Sequence, residues 1–207
     1  AEITVSVTNL THGMYFTPLL VTAHSADASL FKVGEVSSPE LQAMAEGGDI
    51  SGLVTLTESI GAVNQVNPAA GPLAPGATTP MVDLSTGDNT QLSVVSMLLP
   101  TNDAFLGLNS WTIPTTPGVY TLDVNAYDSG TEANNEIIGG DVANTPAPPF
   151  VTTGGTGATG VMAEVEGFVH VHRGSLGDSD LSGGKSDLDN RVHRWLNPVA
   201  RVTVYVK

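Results

Sequence analysis

Apolar residues recur with a period of two along most of this chain, and that period admits short strands while leaving little room for long helices. Ile3, Val5 and Val7 alternate with Thr4, Ser6 and Thr8, the pattern of a strand with one face buried, and residues 9–13 follow as a turn. Leu19, Leu20, Val21 and Ala23 predict a second strand ending near His24. The apolar stretch 91–99 predicts a buried central strand, 119–126 alternates again, and 167–173 and 199–206 read as the closing strands. The 23 glycines and 13 prolines supply the turns that many short strands require. The expected fold is all-β: one domain over residues 1–207, an antiparallel β-sandwich of roughly eight strands with its loops gathered at two ends.

One segment departs from the two-residue period. In residues 37–46, Ser38 can cap a helix, Pro39 suits the first helical position, and Leu41, Met44 and Ala45 make an apolar stripe that Gly47 and Gly48 stop. A second short helix is expected within 50–60. Residues 67–80, rich in Pro, Gly, Ala and Thr, read as a surface connection, because strand patterns resume on both sides. Residues 138–160 contain Pro146, Pro148, Pro149 and the pair Gly154 and Gly155, and read as an extended loop.

Seven Lys and Arg against 21 Asp and Glu leave a formal charge of −14, a sign that repels phosphate backbones and anionic lipid surfaces, so nucleic acid is not an expected partner. No apolar run approaches the roughly 18 residues of a membrane span, and no membrane insertion is expected. The absence of cysteine removes disulfides, thiolate metal sites and a cysteine nucleophile. The chain opens directly on a strand pattern without an initiator Met, as a secreted or periplasmic protein does after signal-peptide removal. Enzyme chemistry is not expected. There is no Gly-x-Ser-x-Gly or phosphate loop, and the glycine-rich run 154–160 follows a Pro-rich loop rather than a strand entering a helix.

Two groups of side chains suggest metal ions. Asp103 follows an apolar strand, and Asp128 and Glu132 flank a turn at Gly130 after another, so neighbouring strand ends would bring three carboxylates together. Such oxygens suit calcium, which takes about six to eight ligands in flexible loop geometry; the same aspartates can also simply cap turns. Asn102, Asn134 and Glu136 are weaker candidates. The run containing Asp178, Asp180, Asp187 and Asp189 lacks the order of an EF-hand loop and reads as a solvated loop. His170 and His172 lie two apart on an expected strand, so both rings leave one face, and a third ligand is available from His12 or His24. This set has two readings: a copper or zinc site, or rings satisfied by backbone at a sheet edge.

The stretch Leu99-Pro100-Thr101-Asn102-Asp103-Ala104-Phe105-Leu106-Gly107-Leu108, followed by Ala126-Tyr127-Asp128-Ser129-Gly130-Thr131-Glu132, resembles the spondin domain. That family carries a Pro-x-x-Asp-aromatic-x-x-Gly segment and then a Tyr-Asp-x-Gly-Thr-Asp segment. Asn9-Leu10-Thr11-His12-Gly13, Gly167-Phe168-Val169-His170-Val171-His172 and Asn197-Pro198-Val199-Ala200-Arg201-Val202 are similar to its bacterial members. The resemblance implies a C2-like antiparallel sandwich with a calcium ion held by loops at one end, Asp103, Asp128 and Glu132 standing at the acidic ligand positions. The expected function is therefore an exported, calcium-stabilised metal-binding module with a binding or adhesion role toward a protein or carbohydrate ligand. The alternative is a periplasmic or surface copper-binding protein using His12, His24, His170 and His172.

Overall fold

Two antiparallel sheets face each other in the computed structural model, which describes residues 1–137, 164–180 and 184–207. The loop expected over 138–160 lies outside the described residues. The smaller sheet orders its strands β5 (Val82–Ser85), β1 (Glu2–Asn9), β11 (Ala200–Val206) and β8 (Gly118–Val124). The larger follows the order β10 (His170–Val171), β9 (Ala126–Asp128), β7 (Ala104–Thr112), β6 (Gln91–Leu99), β3 (Leu20–His24) and β4 (Val63–Val66). A short strand β2 (Tyr15–Phe16) also pairs with β6. The architecture is the expected all-β sandwich.

Alternation decides what lies between the sheets. Ile3, Val5 and Val7 of β1 and Val202 and Val204 of β11 are fully buried against Val21, Leu92, Val94 and Leu106 of the larger sheet. The other face of that sheet is covered too: Leu20, Val95, Met97 and Phe105 pack under Phe31 and the helices α1 (Pro39–Gly47) and α2 (Ser51–Ser59), through Leu41, Met44 and Leu53. A strand buried on both faces loses the strict alternating pattern, which is why β6 reads as a strongly apolar stretch, with only Gln91, Ser93 and Ser96 polar. Ser38 Oγ accepts the Leu41 N–H at 3.1 Å, and Gly48, in the left-handed region at φ 69°, ends α1 as the sequence predicts.

The alternating segment 119–126 is not one strand. β8 pairs with β11 in the smaller sheet as far as Val124↔Ala200, and β9 then pairs with β7 in the larger sheet, so the chain changes sheets at Asn125. The apolar period survives because Val124 and Ala126 enter the same core from opposite sheets. The segment 167–173 contributes only His170 and Val171 as a strand, since Val169 bonds instead to the loop at Gly34 and Glu35. β9 lies between β7 and β10 with the register Ala104↔Asp128↔His170. That register sets Asp128 beside the turn that carries Asp103 and beside the histidine strand.

Candidate metal centre

Asp103, in the turn between β6 and β7, is fully buried. Its Oδ2 accepts from Ser129 Oγ at 2.9 Å, Thr131 N at 2.9 Å and Glu132 N at 3.1 Å, so the loop after β9 wraps this one oxygen. Its Oδ1 is buried with no hydrogen-bond partner among the described residues. Asp128, 1% exposed, accepts from Gly130 N at 2.7 Å on Oδ1 and from Asn134 Nδ2 at 2.6 Å on Oδ2. Burial first, and then the charge of Asp128, pushes the Asp103 carboxyl above the usual range; burial likewise raises Asp128. Two carboxylates that resist ionisation side by side are a place where a cation lowers the energy.

His170 and His172 both turn toward Asp128: His170 Nε2 lies 3.6 Å from Oδ1, and His172 Nε2 lies 3.8 Å from Oδ2. Their rings are in opposite tautomers. His170 Nδ1 faces the Val171 carbonyl at 3.2 Å, an oxygen that can only accept, so the neutral ring carries its proton on Nδ1 and its lone pair on Nε2. His172 Nδ1 instead accepts from Gly174 N at 3.0 Å, which puts the proton of the neutral ring on Nε2. Burial holds His172 neutral, its pKa lowered to about 4, and Trp195 packs on it with ring centroids 4.9 Å apart.

Glu166 completes the group. Its Oε1 lies 4.0 Å from His170 Nε2 and accepts from Asn134 Nδ2 at 3.0 Å, and one ligand atom each from Asp128, Glu166 and His170 lie within 4.8 Å of one another. Sequence reasoning missed Glu166, which falls between the expected loop and the expected strand. What brings it in is Gly130 at φ 70°: a side chain there would strike the Phe168 backbone, and Gly167 N bonds Gly130 O at 3.0 Å.

Of the other candidates, Glu132 and Asn102 stay in the loops around Asp103 and the rest make other contacts. Glu132 is buried in the same loop, its Oε1 accepting from Asn102 Nδ2 at 3.1 Å. Asn102 also donates toward Asn135 and Ile137 and accepts the Glu136 N–H at 3.0 Å, so both ends of its amide tie the 132–137 loop. Glu136 binds the N–H groups of Leu176 and Gly177 and the Ser186 hydroxyl, a structural clamp. Asp178 caps its own loop through Asp180, Lys185 and Ser186 N–H groups. His24, opposite Gln91 at the start of β6, bonds Ser93 Oγ at 2.7 Å and the Ser25 carbonyl at 2.9 Å. Asp103 lies beyond the other end of that nine-residue strand, so His24 is not brought to His170 and His172. His12 is exposed in the turn after β1 and has no place in the group around Asp128. A cavity of about 340 Å³, lined in part by Thr101, Asp128, Asn134, His172 and Arg173, adjoins the group.

The Spondin_N family model matches residues 8–149. The chain belongs to the Spondin_N family. The matched stretch contains Asp103, Asp128 and Glu132, whereas Glu166, His170 and His172 of this spondin domain come after it. Comparison with curated proteins finds no match.

Proposed function

We propose that this spondin domain is an exported binding or adhesion module whose loop end is stabilised by a calcium ion held at Asp103 and Asp128. The observation that carries the reading is Asp103 Oδ1, a buried oxygen without a hydrogen-bond partner among the described residues, set against a second buried carboxylate. A hard cation satisfies that oxygen and cancels the repulsion, and the remaining ligands come from loop oxygens and water, as calcium geometry permits. Glu132 serves as the third acidic ligand, while Asn102 holds the loop in place. Membership of the Spondin_N family supports export and a binding role, toward a protein or carbohydrate ligand.

Calcium added to chelator-treated protein is expected to raise the melting temperature, by the equivalent of about 2.7 kcal/mol at a hundredfold excess over the dissociation constant. Asp103→Asn removes a buried like charge and supplies an amide beside Asp128, so the metal-free variant should melt no lower than the metal-free wild type while its response to calcium disappears. A wild-type melting temperature that is the same in calcium and in excess chelator would defeat the proposal.

A further inference from the structure

We infer that His170, Glu166 and Asp128 form a second, nitrogen-containing metal position that takes zinc or a similar late first-row divalent ion. It shares Asp128 with the calcium position but does not depend on calcium being bound there.

The first support is the hydrogen-bond accounting. With Nδ1 protonated toward the Val171 carbonyl, His170 Nε2 presents a lone pair to Asp128 Oδ1 at 3.6 Å and Glu166 Oε1 at 4.0 Å, both acceptors. Nε2 is buried with no hydrogen-bond partner among the described residues, and so is Glu166 Oε2. Lone pairs facing one another across such a gap are costly unless an electrophile stands between them. The spacing leaves room for one: four ligands about 2.0 Å from zinc lie about 3.3 Å from each other in a tetrahedron, and here the ligand atoms lie within 4.8 Å of one another, two of the separations being 3.6 and 4.0 Å.

The surroundings have the form of an outer shell. The Asn134 amide donates to Asp128 Oδ2 at 2.6 Å and to Glu166 Oε1 at 3.0 Å, which fixes both carboxylates relative to each other. The Val171 carbonyl holds the imidazole in the ligand tautomer, the arrangement that metal-binding histidines use. His172 plays the opposite part: its Nδ1 accepts from Gly174 N at 3.0 Å, so its neutral ring presents no lone pair on the side that lies 3.8 Å from Asp128 Oδ2 and leaves the metal to His170. An imidazole nitrogen favours zinc over calcium, whose ligands are oxygens, and two carboxylates with one nitrogen give no sulfur to favour copper(I). Glu166 and His170 lie beyond the stretch that the family model matches.

The test titrates metal-free protein with zinc by calorimetry and with cobalt(II) by visible absorption, which reports coordination directly. Wild type is expected to bind zinc and to develop cobalt bands. His170→Ala should lower zinc affinity by at least about a hundredfold, more than loss of an outer-sphere partner costs, and abolish the bands. Its calcium response should remain. Glu166→Gln, conservative and partly exposed, should weaken zinc about tenfold, guarding against a fold defect in the histidine variant. Asp103→Asn should lose calcium and keep zinc, so the two readings fail separately. Zinc binding by His170→Ala equal to wild type would overturn the inference, and so would a wild type that takes no zinc.

Discussion

His193 sits in the same kind of setting as His172, and the pair shows how single rings tie acid sensitivity to the loop before β11. His193 Nδ1 accepts the Asp189 N–H at 3.0 Å, and burial lowers its pKa against the opposing pull of Asp189. Above the ordinary histidine value of about 6.5 the ring is neutral whether the chain is folded or not, and it has no effect on the pH dependence. Below that value the unfolded chain takes up a proton that the folded ring refuses, so stability falls as pH drops until the folded ring titrates too. Unfolding by urea in excess chelator, followed from pH 7 downward, should show that decline in wild type and a flatter curve in His193→Gln. Parallel curves would remove His193 as the cause. The sequence makes the pairing of His170 with His172 plain, because period two puts both on one face. It cannot show their opposite tautomers, which depend on where the Val171 carbonyl and the Gly174 N–H fall in space.

Elements were legible where one physical cause acted alone. β6 spans the expected 91–99 because burial on both faces fills it with apolar residues, only Gln91, Ser93 and Ser96 being polar, and α1 starts at Pro39 because Ser38 caps it. β7 was not legible: its first half is buried and its second half opens to solvent, so no single period describes it. The change of sheet at Asn125 was hidden for the opposite reason, since an alternation that serves both sheets carries no mark of the crossing. The metal centre depends on that crossing, which delivers Asp128 to β7 and β10. It depends equally on Gly130, which lets the turn after β9 lie against Gly167 and Phe168. Gly130→Ala sets a side chain at φ 70° into the Phe168 backbone, and should push the 166–170 segment away from Asp128. Zinc affinity is expected to fall at least about tenfold, the lower end of what misplaced outer-sphere support costs. Retention of wild-type zinc binding by Gly130→Ala would show that the contact does not position the ligands.

At the scale of the molecule, the effects of net charge and of the proposed calcium ion on stability separate by how each saturates. A charge of −14 makes the folded chain repel itself, and sodium chloride relieves this gradually as the screening length shortens from about 10 Å at 0.1 M to about 3 Å at 1 M. Salt also weakens the exposed pairs Arg201 with Asp123 at 2.8 Å and Lys207 with Asp83 at 2.7 Å. Exposed pairs contribute little, so the excess of 21 acids over 7 bases decides the sign, and melting temperature should climb with salt. Calcium held at Asp103 and Asp128 as proposed would act on one buried place and should reach a plateau once that place is filled. Asp103→Asn is therefore expected to keep the gradual climb with sodium chloride and lose the plateau with calcium, measured by scanning calorimetry on chelator-treated protein. If calcium instead raises the variant as it raises the wild type, the ion is acting on the surface charge as a whole. The acidic composition would then account for the effect without any site at Asp103.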